Sequence, residues 1–186
     1  RGAKIIFADS EKNTPNIDVS KISKLISNKT KAILVMHYGG IACNMDPIIE
    51  LADVGCGYGA LLLYIKTKGY SNRIDYSGYD ICPSLINECK RRDKFMSFEI
   101  GVEPKLRTMF TVMSGTYNLA PTKNIKIWQN YVEECLKKCW NKTSKAMIFN
   151  LQLAKKEEIS TTNIYYADCN RILELCVSLF GPTKLV

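Results

Sequence analysis

The chain has 186 residues, of which 46% are hydrophobic and 24% charged, the balance of a globular protein with a core large enough to need no disulfide staples. Its net charge of +8 comes from lysines scattered beside Asn and Ile, with no basic stripe interleaved with aromatics, so nucleic acid is not expected as a partner. No apolar run is long enough to cross a membrane and the first residues lack a signal-peptide pattern, which predicts a cytoplasmic protein.

In chain order, Ala3–Phe7 is a brief apolar run closed by Asp9, and Thr14-Pro15-Asn16 is a turn. Ile17, Ile22, Leu25 and Ile26 recur near helical spacing until Asn28 and Thr30 end the pattern. Ala32–Met36 reads as a buried strand, ended by His37-Tyr38-Gly39-Gly40. Two readings then compete. Asp46 and Pro47 fit the start of a helix over Pro47–Ala52, whereas the glycines that follow ask for a strand over Ile49–Val54. The two exclude each other. The strand is preferred, because a glycine turn that forms a site must leave from the edge of a sheet.

Beyond it, Ala60–Thr67 is a leucine-rich helix, and Arg73–Asp80 contains a strand. Pro83–Arg92 is a helix with Pro83 in its first turn and Lys90-Arg91-Arg92 at its end, where cations complement the helix dipole. Phe95–Ile100 and Met109–Ser114 are strands. Within Ile125–Trp140, Trp128, Tyr131, Val132, Cys135, Leu136 and Cys139 share one helical face. Ala146–Leu151 is a fifth strand and Asn170–Leu179 a further helix.

The eight cysteines are widely spread, without a CxxC, and the single histidine is His37. Cys135 and Cys139 lie four apart on a predicted helix, with no second pair or histidine nearby. No metal site is expected, and the thiols read as reduced, small apolar side chains.

The chemistry-bearing stretch is Asp53-Val54-Gly55-Cys56-Gly57-Tyr58-Gly59, with Asp80 placed 21 residues after Gly59. Glycines at this spacing let the backbone turn sharply and bring main-chain N–H groups close to a ligand. An acid at the end of the next strand sits where ribose hydroxyls are held in a doubly wound sheet. The spacing differs from the Gly-x-Gly-x-x-Gly that frames a pyrophosphate, and Asp53 disfavours phosphate and favours a cationic ligand.

This stretch resembles motif I of class I S-adenosylmethionine (SAM)-dependent methyltransferases, and Asp80 resembles their ribose-binding acid. The resemblance implies an α/β fold: a Rossmann-like, doubly wound, mostly parallel sheet with helices on both faces, over residues 52–186. It implies SAM as cofactor, with Asp53, Gly55, Cys56, Gly57, Tyr58 and Gly59 near its amino-acid part, Asp80 and Ile81 at the ribose, and Ser114 at the end of the fourth strand. The family covers the adenine with residues matching Glu99 to Val102, where this chain lacks a clear Asp-plus-apolar pair. The antiparallel strand pair that completes the family's sheet is expected to be missing or present only as a stub.

Substrate-facing residues are expected at Thr116, Tyr117, Asn118 and Asn150. Ser114-Gly115-Thr116-Tyr117-Asn118, with Ile148-Phe149-Asn150, resembles a bacterial group of small methyltransferases associated with sugar and envelope-polysaccharide pathways. It differs from the Asn/Asp-Pro-Pro-Tyr segment used on DNA bases. The implied partner is a small-molecule or sugar acceptor. Methyl transfer needs a collinear arrangement more than a base, and proximity supplies much of the rate. Tyr117 is the candidate catalytic side chain and Asp168 a second, although Asp168 reads better as the N-cap of the helix that follows.

Residues 1–51 carry a resemblance of their own. Gly2-Ala3-Lys4, Asn16-Ile17-Asp18, Lys29-Thr30-Lys31-Ala32-Ile33, His37-Tyr38-Gly39-Gly40 and Met45-Asp46-Pro47-Ile48 are similar to a DegT-type nucleotide-sugar aminotransferase, a pyridoxal phosphate (PLP)-dependent family. The acid and the Schiff-base lysine of that family do not follow, since the methyltransferase glycines begin instead. Three readings result: a SAM-dependent methyltransferase, a remnant of a PLP enzyme, and a non-catalytic SAM-binding protein.

Overall fold

A computed structural model describes residues 6–12, 18–25, 27, 49–71 and 73–185. The chain divides into two units, Arg1–Ile48 and Ile49–Val186. In the first, α1 (Val19–Ile22) is one short turn followed by a 3₁₀ turn at Ser23–Leu25. The Asp18 amide donates to the Asp9 carbonyl at 2.9 Å, and Lys21 reaches the Asp9 carboxylate at 2.8 Å. The expected strand Ala32–Met36, the His37 segment and most of Ala3–Phe7 lie outside the described residues.

The second unit is built on five parallel strands in the order β3-β2-β1-β4-β5. They are β1 (Ile49–Val54), β2 (Ile74–Asp80), β3 (Ser97–Ile100), β4 (Thr108–Met113) and β5 (Thr143–Phe149). The expected doubly wound, Rossmann-like α/β sheet is thus present. β1 is central, and the winding reverses between β1 and β4, where such sheets open a crevice at their strand C-termini. The competition over residues 47–54 ends in favour of the strand, since Ile49–Val54 pairs in register with Ile74–Tyr79.

Alternation along β1 and β2 feeds two cores. Ala52, Val54 and Tyr79 join one cluster with Met113, Leu136 and Cys139. Tyr76 joins the other with Leu62, Ile65, Ile86 and Phe98. The second cluster is covered by α2 (Ala60–Thr67) and α3 (Pro83–Arg92). Helix α4 (Ile125–Asn141) buries Trp128, Val132, Cys135, Leu136 and Cys139 in the first cluster, a 3.6-residue stripe visible in the sequence. Asn124 caps α4 by accepting from the Ile127 amide at 3.1 Å. Burying one such apolar side chain contributes roughly 1.5–3 kcal/mol, so this stripe is the main reason that α4 docks.

β5 begins three residues earlier than the apolar pattern Ala146–Leu151 suggests. The Thr143 hydroxyl pairs with that of Thr111 at 2.6 Å and with the Cys139 carbonyl at 2.7 Å, so a polar residue is buried without loss. After β5 come β6 (Gln152–Ala154), β7 (Glu158–Ile159), β8 (Tyr165–Asp168) and α5 (Cys169–Phe180). The first three form a separate sheet ordered β6-β8-β7, and within it β7 and β8 are the antiparallel pair. Asp168 caps α5 by accepting from the Arg171 amide at 2.8 Å, the role its sequence context predicts.

Candidate functional site

The C-terminal ends of β1, β2 and β4 open onto a cavity of about 890 Å³. The turn after β1 is pinned to β2, because the amides of Gly55 and Cys56 both donate to the Tyr79 carbonyl, at 2.7 and 3.0 Å. One residue further, the Gly57 amide donates to Oδ2 of Asp80 at 2.9 Å, while the Cys82 amide donates to Oδ1 at 2.8 Å. Asp80 thereby joins the glycine turn to the start of α3 and still borders the cavity. Each carboxylate oxygen retains acceptor capacity toward a ligand.

Gly55 has φ +77, and a β-carbon on it would lie 2.4 Å from Oγ1 of Thr116. That hydroxyl donates to the Val54 carbonyl at 2.7 Å, closing the end of β1 against the loop after β4. At Gly57, φ is +53 and a β-carbon would meet nothing within 4 Å, so its bare backbone faces open space.

Asp53 lies elsewhere. It is buried, does not border the cavity, and accepts the Tyr76 hydroxyl at 2.7 Å. Burial pushes its carboxyl up to about 6, with the Tyr76 bond opposing and the charge of Asp80 adding to the rise. Burial and the adjacent Asp53 carry the Tyr76 phenol far above the ordinary range. The Gly57 carbonyl accepts from the thiol of Cys89 at 3.3 Å. Burial raises the Cys56 thiol to about 12, leaving it protonated. Arg92 donates to the Tyr58 carbonyl. Cys56, Gly57, Tyr58 and Gly59 shape the turn without bordering the cavity, which Gly55 does border.

In the loop after β4, Ser114, Thr116 and Tyr117 border the cavity, and Ile81 borders it beside Asp80. Asn118 and Asn150 do not. Asn150 accepts the Gly115 amide at 2.6 Å, and Asn118 accepts the Gln152 amide at 3.1 Å, so both brace the loop. Tyr117 is buried with its hydroxyl donating to Met113 Sδ at 3.4 Å, and burial carries its phenol well above the ordinary value. A phenol so held keeps its proton near neutral pH and is a poor base, which runs against the catalytic role expected for it.

Gly101 and Val102, within the Glu99 to Val102 stretch that the resemblance sets at the adenine, border the cavity after β3 although no Asp-plus-apolar pair marks them. Sequence reasoning missed the rest of the wall. Leu119, Pro121 and Ile127 extend it, with Trp128 and Tyr131 of α4 and Asn163. The i,i+3 aromatic pair at the start of α4 was the available signal, and it reads equally well as core. Nothing in the sequence announces Asn163. Among the described residues no cluster of His, Cys, Asp or Glu forms a metal site, and no helix is long and apolar enough to cross a membrane.

Comparison with known proteins separates the two parts of the chain. A model of the DegT/DnrJ/EryC1/StrS aminotransferase family matches residues 1–55. The spore coat polysaccharide biosynthesis protein SpsC of Bacillus subtilis is 43% identical over 52 residues, which is 28% of this chain and 13% of that protein. The chain therefore spans about an eighth of the length of this relative. A candidate methyltransferase of Mycobacterium tuberculosis is 26% identical over 135 residues, covering 70% of this chain and 80% of the relative. Among solved structures, a SAM-dependent methyltransferase from Mesorhizobium loti superposes with a TM-score of 0.52 at 9% identity, over 74% of this chain and 76% of that one. The chain thus joins an aminotransferase-like N-terminal fragment to a body with the Rossmann-like fold of SAM-dependent methyltransferases.

Proposed function

We propose that this protein uses SAM to methylate a small molecule or a sugar or polysaccharide precursor in the cytoplasm. The observation that carries the reading is the clasp of Asp80 on the Gly57 amide beside the cavity. SAM presents an activated methyl group on a sulfonium. The residues present fit it: the remaining acceptor capacity of Asp80 suits two ribose hydroxyls, and the side-chain-free backbone at Gly57 leaves room for the amino-acid part. Ile81 and Val102 offer apolar contact to a base.

The chain's own contribution is binding, orientation and exclusion of water. Among the described residues, no side chain bordering the cavity is a ready proton acceptor for the acceptor group. Tyr117 keeps its proton, and Asp80 is bonded to two amides. The reading therefore rests on alignment of the reacting atoms, which supplies several kcal/mol of barrier reduction, up to about 7–11 in the best cases. A polysaccharide-related acceptor is supported by the Ser114–Asn118 resemblance and by SpsC's role in spore coat polysaccharide biosynthesis.

Calorimetry with SAM, followed by turnover with candidate acceptors, tests this. Saturable binding with methyl transfer supports it, binding without transfer to any acceptor favours the non-catalytic reading, and no binding rejects both. The aminotransferase reading rests on the family model's match to residues 1–55. Incubation with PLP and borohydride should label no single lysine stoichiometrically, and one uniquely labelled lysine would reverse the ranking.

A further inference from the structure

Charge and aromatic placement in the cavity describe the acceptor more closely. The chain carries a net +8, yet among the described residues the only charged side chain bordering the cavity is Asp80. A phosphate or carboxylate on the acceptor would meet no cationic side chain among the described residues that border the cavity, and an unpaired anion there is costly. The wall farther along the chain is instead built on Trp128 and Tyr131, whose ring centroids lie 5.1 Å apart with planes inclined by 22°. The Trp128 indole is held in place, because it is buried and its Nε1 donates to the Tyr117 carbonyl at 3.2 Å. Tyr131 rests on it and keeps 39% of its surface exposed.

A polar group accompanies this platform. Asn163 has φ +66, an unusual backbone state for a residue with a side chain, and it borders the same cavity. Its amide donates to the Ser160 carbonyl at 3.1 Å, and its carbonyl accepts the Ala120 amide at 2.8 Å. A ring with polarised C–H bonds is attracted to the electron-rich face of a phenol, and a neighbouring carboxamide both donates to and accepts from hydroxyls.

We propose that the acceptor is an uncharged, hydroxyl-bearing ring that stacks on Tyr131 and hydrogen-bonds Asn163, which makes Tyr131 a specificity-determining residue. This rests on the methyltransferase reading for its chemistry but not for its binding site.

The test uses the full chain carrying Trp140→Phe, which leaves Trp128 as the only tryptophan. Methyl glucopyranoside, phenol and glucose 1-phosphate are titrated against Trp128 fluorescence, with and without the demethylated cofactor product. A saturable response to a neutral ring is expected, with glucose 1-phosphate about tenfold weaker, roughly 1.4 kcal/mol. A response to the pyranoside assigns a carbohydrate acceptor, and one to phenol an aromatic acceptor. Tyr131→Ala should weaken the responding ring about tenfold and Tyr131→Phe about twofold at most, with SAM affinity unchanged in both. The inference is overturned if neither neutral ring binds, if glucose 1-phosphate binds as well as the neutral ring, or if Tyr131→Ala has no effect. Ring binding without SAM binding would retain the stacking site and reject methyl transfer.

Discussion

The amide of Gly57 and the carboxylate of Asp80 meet across 2.9 Å, joining the turn after β1 to the end of β2. Residues 23 apart in sequence therefore form one structural unit, and Asp80 both shapes the turn and borders the cavity. Replacing it has two separable consequences. Asp80→Ala should weaken SAM binding by about 2–3 kcal/mol, the scale of hydrogen bonds to a charged group. Asp80→Asn keeps an acceptor oxygen and should lose less. Calorimetry on both variants, beside their thermal midpoints, checks this; unchanged SAM affinity in Asp80→Ala would remove Asp80 from the site.

Gly55 is the most constrained of the turn glycines. Gly55→Ala places a methyl group 2.4 Å from Thr116 Oγ1 at a φ of +77. Left-handed strain and steric overlap together should cost about 2–4 kcal/mol. Adding Thr116→Ala removes the two closest overlaps, with Oγ1 and Cγ2, but leaves the β-carbon at 2.9 Å and the strain, so the double variant should recover part of the loss. Urea unfolding of the single and double variants gives the comparison, and an additive, unrescued loss would show that the contact with Thr116 is unimportant.

Asp53 gives a pH dependence with a definite sign. Its carboxyl is raised in the fold from 3.8 to about 6, so the folded state binds the proton more tightly than the unfolded chain. Stability from this group is fully present below about pH 4, declines as pH rises through about 6, and stays lost above it, at most about 3 kcal/mol. Asp53→Asn keeps an acceptor for Tyr76 and should flatten this part of the profile, making the variant relatively more stable at pH 8 than at pH 4. A profile of unfolding free energy for both proteins would show it, and parallel curves would contradict it.

The sequence predicts a stable unit over residues 53–180; because the central strand begins at Ile49, residues 49–180 are proposed instead. Limited proteolysis should cut first between about Lys12 and Pro47, leaving a core that still binds SAM. A chain that resists cleavage, or a trimmed core that no longer binds, would make the N-terminal segment integral to the fold.

Much of this arrangement follows from local pattern. Pro83–Arg92 begins and ends where its proline, apolar spacing and terminal cations place it, and Asp168 caps α5 as its position before Cys169 suggests. The resemblance of Asp53–Gly59 and Asp80 located the turn and the acid beside the cavity. These features were legible because each is written in a few consecutive residues whose backbone geometry depends on their own type.

Other features depend on which distant residues meet. Asp53 lies next to the glycines in sequence, yet the alternation of β1 turns it away from the cavity toward Tyr76. Tyr117 sits in the polar loop expected to face substrate, but its ring packs inward against Met113. β5 extends back to Thr143 because Thr111 supplies a buried partner 32 residues away. The sequence alone therefore determined the class of sheet, the turn and the acid that holds it. Only the tertiary structure decided which side chains border the cavity. A helical stripe such as that of Trp128 and Tyr131 records only that a face is apolar, and the packing of α4 decides that these two rings border the cavity that Asn163 also borders.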